Sequence, residues 1–254
     1  MQKNLPKTFT TISYDRAGVL WSERGINPKS GEKIAEELYE LLKKAKAPKP
    51  YILVGHSLGG ILTRFFVKKY SPDVAGIILV DSQFPNDQDF LSPKLYEMVN
   101  QGLPSRFLKF GNEFGFVRVM FDNMFPNTEQ YKYQNSIMPT LLYKSAYGVL
   151  EEQDEMKNIK NEASKINSFD SIPLVVITAA DKNRFNNFIS DEKLKSEMLN
   201  AWDKMQKNLL NLSSESKQIL ATNSGHYINQ DQPEIIENEI IEMLKKLQNT
   251  VRRR

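Results

Sequence analysis

The chain is predicted to form an α/β fold with a mostly parallel sheet flanked by helices. Residues 51–54 and 75–80 are uninterrupted apolar runs, which are typical of parallel strands covered on both faces. Such runs alternate with longer stretches in which apolar residues recur at helical spacing. An alternation of strands and helices predicts a parallel sheet with right-handed crossovers.

The predicted elements follow from local patterns in chain order. An N-terminal strand is expected because its residues are β-branched and aromatic, and Pro48 and Pro50 end the first helix. The predicted strands are Thr8–Tyr14, Tyr51–Val54, Ala75–Val80, Leu174–Thr178 and Gln218–Thr222. The predicted helices are residues 34–45, Ile61–Tyr70, Asp191–Leu212 and a last helix that begins at Pro233.

The composition narrows the class of protein. The chain has 254 residues, of which 40% are hydrophobic and 26% charged, as in ordinary globular proteins. Its net charge of +3 is small and the charges are interspersed, so no nucleic-acid partner is expected. The chain has no cysteine and no apolar run long enough to span a membrane, and residues 1–6 do not look like the apolar segment of a signal peptide. A cytoplasmic protein is therefore expected, and its oligomeric state is left open.

The stretch from Gly55 to Gly60 reads Gly-His-Ser-Leu-Gly-Gly and stands between a predicted strand and a predicted helix. This is the context that the G-x-S-x-G motif requires, with Ser57 on a strained turn at the strand's carboxyl end. Gly55 and Gly59 are expected to avoid collisions between strand and helix because they lack Cβ atoms. The N–H of Leu58, at the helix N-terminus, would bind a developing oxyanion. Ser57 is therefore a candidate nucleophile, although the motif also occurs by chance in turns without a catalytic role.

Three motifs in this order resemble the α/β-hydrolase family over essentially the whole chain. Residues 14–18 and 21–23 are similar to the stretch that follows the family's fourth strand. Residues 55–60 are similar to its nucleophile elbow. Ser224-Gly225-His226, with residues 231–234, is similar to the loop that carries the catalytic histidine. The resemblance implies the hydrolase fold and a Ser-His-Asp triad.

The chain has two histidines, and they are expected to differ in role. His226 lies in a loop between a strand and a helix, where an imidazole can take the serine proton and return it to the leaving group. The other interpretation of His226 is an ordinary surface histidine. His56 lies inside the motif beside Ser57, so we expect a structural or pocket-wall residue.

The carboxylate that would orient the histidine has two candidates. Asp81 ends the strand that follows the nucleophile helix, a position from which some members of the family take their acid. Asp181 follows the strand 174–178, where most relatives carry it, but its offset is one residue short and Lys182 fills the expected place. Asp81 is favoured slightly and Asp181 is kept as the alternative. Asp15 and Arg16 are expected to form an ion pair that braces the floor of the site.

The serine at the turn implies an acyl intermediate and hence an ester, thioester, lactone or amide substrate, because relatives that open epoxides carry aspartate there. Residues 82–170 resemble a helical cap inserted before the last two strands, between core segments 1–81 and 171–254. This region is rich in aromatic residues and methionine, which favours a small hydrophobic acyl substrate. No metal-ligand cluster and no phosphate-binding glycine loop occurs, so no metal site and no cofactor is expected.

The family's first three strands have no counterpart in the sequence, and residues 1–6 look like the end of the helix that follows them. The second oxyanion N–H would then be missing and the sheet would have an unpaired edge. These departures suggest a truncated chain. Two hypotheses follow: a serine hydrolase of carboxylic esters, or a non-catalytic small-molecule-binding or interaction protein that retains a truncated hydrolase fold.

Overall fold

The computed structural model describes residues 4–25, 28–102, 105–113 and 132–252. The chain divides into two compact units, one of residues 1–11, 39–99 and 160–254 and one of residues 12–38 and 100–159. The strands are β1 (Tyr51–His56), β2 (Val74–Val80), β3 (Leu174–Ala179) and β4 (Ser216–Ala221). The helices are α1 (Gly31–Lys44), α2 (Leu58–Tyr70), α3 (Pro93–Asn100), α4 (Ser105–Glu113), α5 (Lys132–Ser164), α6 (Glu192–Leu209), α7 (Ile228–Asp231) and α8 (Pro233–Arg252). Short 3-10 turns follow α2, precede α3 and follow α6.

The first unit is built on a four-stranded sheet in the order β1-β2-β3-β4, and every neighbouring pair is parallel. This confirms the predicted fold class. The register pairs His56 with Val80, so that β1 and β2 end side by side. Residues that follow these two strands therefore lie at the same edge of the sheet.

Both faces of the sheet are covered, as the uninterrupted apolar runs predict. Ile78 and Val80 of β2 belong to a buried cluster with Ile236 and Ile240 of α8. Side chains alternate along a strand, so Leu79 faces the other way, and it is also buried. The covering helix on that side is α2, which packs against β1 and β2.

The predicted strand Thr8–Tyr14 is wrong. Residues 10–16 have no regular secondary structure, and in the described ranges β1 pairs only with β2. A β-branched and aromatic composition favours extended backbone, but a strand also needs a neighbouring strand to take its hydrogen bonds. The outer edge of β1 is thus unpaired among the described residues, and Val54 on this strand is 41% exposed.

In the second unit the N-terminal segment is joined to α5. Arg16 was expected to pair with Asp15, but its guanidinium instead binds both carboxylate oxygens of Glu152, at 2.9 and 2.7 Å. Asp15 accepts a hydrogen bond from the main-chain N–H of Trp21 at 3.3 Å. The expected Asp15–Arg16 pair is therefore wrong, because a carboxylate far along the chain offers Arg16 bidentate geometry.

The three-part division predicted at residues 1–81, 82–170 and 171–254 stays a prediction. Residues 114–131 of the predicted cap lie outside the described residues. Among the helices that are described, none has the length and hydrophobicity needed to cross a membrane.

Candidate active site

Ser57 forms the turn between β1 and α2. Its φ of 52° and ψ of −121° place a non-glycine residue in a strained conformation, as the motif predicts. Its main-chain N–H donates to the carbonyl oxygen of Val80 at 3.2 Å, and its own carbonyl accepts from the N–H of Gln83 at 3.1 Å. These two bonds anchor the turn to the residues at and just beyond the end of β2.

Three glycines surround this turn, and they do not have the same role. A Cβ on Gly55 would lie 2.7 Å from the carbonyl oxygen of Gly59, so Gly55 is needed where strand and helix meet. A Cβ on Gly60 would collide with the side chain of Ser82. A Cβ on Gly59 would have no heavy atom of another described element within 4 Å, apart from its chain neighbours and its own helix backbone, so the collision expected between strand and helix there is wrong. The close approach is one residue later, because it is set by a contact with the segment after β2.

Leu58 is the first residue of α2. The first N–H groups of a helix have no acceptor within it, and they carry positive partial charge. The main-chain N–H of Leu58 is one of these groups, next to Ser57 in the chain, and its role as an oxyanion donor stays a prediction.

Asp81 follows β2 and is also in the left-handed region, with φ of 40°. Its side chain is only 2% exposed, and its main-chain N–H donates to the carbonyl of Ile177 at 2.7 Å. One carboxylate oxygen, Oδ1, accepts from the N–H of Ala179 at 3.1 Å and from the indole Nε1–H of Trp202 at 2.8 Å. The carboxylate is therefore held by several donors in a buried position.

His226 lies against the other oxygen of this carboxylate. Its Nδ1 is 2.7 Å from Oδ2 of Asp81, and its side chain is 33% exposed. A carboxylate oxygen accepts, so Nδ1 carries the proton in this bond and Nε2 of the neutral ring keeps a lone pair. The loop is fixed by Asp231, whose Oδ2 accepts from the Ser224 hydroxyl at 2.9 Å and from the Gly225 N–H at 3.1 Å.

His56 contacts His226 through a hydrogen bond and through its ring. Its Nε2–H donates to the main-chain carbonyl of His226 at 2.8 Å, and the two ring centroids are 4.6 Å apart. Burial lowers the pKa of His56 below its ordinary value and outweighs the hydrogen bond to the His226 main chain, which acts in the opposite direction. A neutral His56 that supports the His226 main chain agrees with the structural role expected from the sequence.

Asp181 has different partners. Its Oδ1 accepts from the N–H of Asn183 at 2.8 Å, and its main-chain N–H donates to the carbonyl of Ser224 at 3.2 Å. Within the ranges that the structure describes, its carboxylate makes no hydrogen bond to a histidine. Of the two candidate acids, the structure brings Asp81 to His226.

The hydroxyl of Ser57 makes no hydrogen bond to any residue in the described part of the chain. The side chain is half-buried at the rim where β1 and β2 end. The structure thus assembles the Asp81–His226 pair and leaves the Ser57 oxygen unengaged.

Two residues that donate hydrogen bonds at this site were not predicted from the sequence. Trp202 and Gln206 lie one turn apart on α6, and Gln206 Nε2 donates to the carbonyl of Ser82 at 2.6 Å. Apolar spacing predicts the helix, but no motif marks either residue as a partner of the segment after β2. The only available signal is that tryptophan and glutamine have N–H groups which need acceptors when buried.

The described residues contain no group of three or more His, Asp or Glu side chains that could hold a metal ion. The arrangement is therefore one of a carboxylate, an imidazole, a helix N-terminus and a hydroxyl. These groups can perform proton transfer and stabilise an oxyanion.

Comparison with known proteins finds similarity over nearly the whole chain. The model of the alpha/beta hydrolase fold family matches residues 1–234. The uncharacterized protein YqjL of Bacillus subtilis is 22% identical over 236 residues, which are 93% of this chain and 73% of that protein.

Two solved structures are similar in fold. One is a thermophilic esterase from Thermogutta terrifontis, with a TM-score of 0.57 and 20% identity over 91% of this chain and 78% of that one. The other is an alpha/beta hydrolase enzyme from a Medee basin deep-sea metagenome library, with a TM-score of 0.53 and 16% identity over 91% and 78% of the two chains. The four-stranded parallel sheet, the strained turn before α2 and the family match over most of the sequence agree, and the chain belongs to the alpha/beta hydrolase fold family.

Proposed function

We propose that the protein is a serine hydrolase that cleaves a carboxylic ester or related acyl bond through an acyl-enzyme on Ser57. His226 is the general base in this proposal and Asp81 is the acid that orients it. The observation that carries the proposal is the 2.7 Å contact between Oδ2 of Asp81 and Nδ1 of His226, one strand away from the Ser57 turn.

The proposed reaction has two halves. Nε2 of His226 takes the proton of the Ser57 hydroxyl as Oγ attacks the acyl carbon, and it then protonates the leaving alcohol. In the second half a water molecule gives its proton to Nε2 and attacks the acyl-enzyme, which releases the acid and restores the Ser57 hydroxyl. The N–H of Leu58 stabilises the oxyanion in both tetrahedral intermediates. Asp81 stabilises the imidazolium without itself taking the proton.

The unengaged Ser57 hydroxyl is compatible with this mechanism. A serine side chain turns about a single bond, and hydrogen bonds in catalytic sites are often long or unformed until substrate is bound. In the proposal, the Ser57–His226 hydrogen bond forms when substrate occupies the rim beside Ser57.

The residue types at the site favour acyl chemistry over epoxide opening. A serine at the strained turn forms an ester with an acyl group, whereas aspartate at that place serves relatives that open epoxides.

The proposed substrate carries an uncharged, hydrophobic acyl group. Phe84, Phe90 and Trp202, the tryptophan bonded to Asp81, pack against one apolar cluster. The buried members of this cluster are Leu91, Leu95, Ile189, Met198, Ala201 and Met205. Apolar and aromatic side chains beside a few directed polar groups are typical of sites for small hydrophobic ligands.

A fluorophosphonate probe tests the proposal because it reacts with activated serine hydroxyls. We expect the probe to label the wild-type chain on the peptide that contains Ser57, and Ser57→Ala to abolish labelling. Ser71→Ala, which changes an exposed serine beyond α2, is the matched control and should label normally. Labelling that persists in Ser57→Ala would contradict the proposed nucleophile.

The alternative is a small-molecule-binding protein without catalysis. It is favoured by the Ser57 hydroxyl, which has no hydrogen-bond partner among the described residues. This alternative predicts no burst of p-nitrophenol from p-nitrophenyl esters, together with ligand affinity that Ser57→Ala leaves unchanged. A burst that disappears in Ser57→Ala would exclude it.

A further inference from the structure

Trp202 makes a directed contact with the carboxylate of Asp81. The indole Nε1–H donates to Oδ1 at 2.8 Å, while Oδ2 of the same carboxylate is 2.7 Å from Nδ1 of His226. The N–H of Ala179 also donates to Oδ1, at 3.1 Å. Two donors thus hold one oxygen, and the imidazole contacts the other.

The indole ring is itself fixed in place. It is half-buried in the apolar cluster and makes edge-on contacts with Phe185, at 6.2 Å between centroids, and with the ring of His226, at 6.1 Å. A single tryptophan therefore touches both the carboxylate and the imidazole of the pair.

The helix that carries Trp202 is held by two residues that follow it. Asp203 forms an ion pair with Arg184 at 2.6 Å, and Gln206 donates to the carbonyl of Ser82 at 2.6 Å. These contacts limit the movement of the indole relative to the residues that follow β2 and β3.

The carboxylate needs this support for a physical reason. The last torsion of an aspartate side chain has a broad energy profile, so a single donor leaves its plane poorly defined. If the plane of the Asp81 carboxylate turns, Oδ2 no longer faces Nδ1 of His226, and the imidazole loses the bond that sets its tautomer.

We propose that Trp202 is a positioning residue whose indole N–H fixes the carboxylate plane of Asp81 so that Oδ2 faces His226. The effect on rate rests on the proposed hydrolase function. The effect on the hydrogen bond between Asp81 and His226 does not, because it is a property of the folded chain.

The rate test compares Trp202→Phe with Leu194→Ala. Trp202→Phe keeps an aromatic ring and removes the N–H, and we expect kcat on p-nitrophenyl acetate to fall about tenfold, the effect of one hydrogen bond to a charged group. KM should stay unchanged, since the substrate does not contact the N–H. Leu194→Ala removes apolar packing against the same buried cluster but keeps the N–H, and kcat should stay at the wild-type value. A kcat in Trp202→Phe equal to that of the wild type, or a loss shared equally by Leu194→Ala, would overturn the proposal.

A second variant isolates the N–H if Trp202→Phe fails to fold. Replacement of Trp202 by 3-benzothienylalanine exchanges the N–H for a sulfur in a ring of the same shape. The same fall in kcat at unchanged KM is expected, and full wild-type activity in this variant would overturn the proposal.

Proton NMR tests the same claim without activity. The chain has two tryptophans, and Trp21 is 63% exposed, so the two indole N–H signals are assigned by Trp21→Phe and Trp202→Phe. We expect the Trp202 signal to exchange slowly with water in the wild type and at least about tenfold faster in Asp81→Ala. The low-field Nδ1–H signal of His226, assigned by its loss in His226→Gln, should move in Trp202→Phe.

The two failures can be told apart. If the wild type hydrolyses no ester but both NMR effects appear, the proposed function fails and the role of Trp202 stands. If esters are hydrolysed through Ser57 but the His226 signal is unchanged in Trp202→Phe, the positioning role fails and the hydrolase stands.

Discussion

Two neighbouring strands, β1 and β2, are each followed by a residue with positive φ, but the side chains of these two residues differ in their hydrogen bonds. Ser57 follows β1 with φ of 52°, and Asp81 follows β2 with φ of 40°. Each donates its main-chain N–H to a strand on the same side, Ser57 to Val80 and Asp81 to Ile177. The backbone thus has a positive φ at a non-glycine residue twice at one edge of the sheet.

The side chains differ in what holds them. The Asp81 carboxylate is almost fully buried and bonded to Ala179, Trp202 and His226. The Ser57 hydroxyl is half-buried and has no hydrogen-bond partner within the described ranges. The residue after β2 therefore has a carboxylate held by several donors, and the residue after β1 has a hydroxyl without a partner among the described residues.

The largest expected effect comes from a substitution of Asp81. Asp81→Asn preserves the shape of the side chain but changes the partner of His226 Nδ1, and we expect kcat on p-nitrophenyl acetate to fall on the order of 10⁴-fold. Asp181→Asn is the matched variant, and it should keep most of the wild-type rate because its carboxylate bonds to Asn183 instead. Steady-state kinetics of both purified variants is the measurement. A larger loss in Asp181→Asn than in Asp81→Asn would reverse the assignment of the acid.

A smaller effect is expected from the glycine that lets the two turns meet. In Gly60→Ala the new methyl group would collide with Ser82, the residue after Asp81. Overpacking of this kind costs about 1–3 kcal/mol of the free energy of unfolding. Gly59→Ala adds a methyl group that meets no described atom within 4 Å beyond its chain neighbours and its own helix backbone, and it should raise the free energy of unfolding by about 0.5 kcal/mol. Urea unfolding gives the free energy of unfolding of both variants. Equal destabilisation would show that the contact with Ser82 does not affect stability.

The smallest effect concerns His56, which supports the main chain of His226. Burial lowers the pKa of His56 below its ordinary value of 6.5. The unfolded chain therefore binds a proton at a higher pH than the folded chain, so the free energy of unfolding falls as the pH drops below 6.5. The change is small because the half-exposed ring is screened by solvent.

The test of this point is His56→Gln, whose amide can donate the same hydrogen bond to the His226 carbonyl. Urea unfolding at about pH 7.5 and about pH 5.5 gives the loss of stability on acidification. The wild type should lose more than the variant. An equal loss in both proteins would mean that His56 does not contribute to the acid sensitivity of the fold.

Local patterns predicted the strands and helices that form the sheet core. The apolar runs at residues 51–54, 75–80 and 174–178 became β1, β2 and β3, and the parallel arrangement followed from the helices between them. The strand expected at Thr8–Tyr14 is wrong because its composition carries no information about a partner strand. Pairing is a property of the tertiary structure.

Part of the candidate site was also predicted from the sequence. Asp81 was a candidate because it ends the strand after the nucleophile helix, a position from which some members of the family take their acid. In the structure it contacts His226, which lies 145 positions further along the chain. Gly60 and Trp202 were missed because their partners, Ser82 and Asp81, lie across the fold. Neither contact leaves a periodic or motif-like trace in the sequence.

The most direct test of the proposed chemistry is to trap the acyl group on the chain. p-Nitrophenyl acetate is mixed with the protein, the reaction is quenched in acid within the burst, and the peptides are mapped by mass spectrometry. The account predicts one acetyl group on Ser57 in the wild type and none in His226→Ala quenched at the same time. An acetyl group on another residue, or equal acetylation of Ser57 without His226, would contradict it.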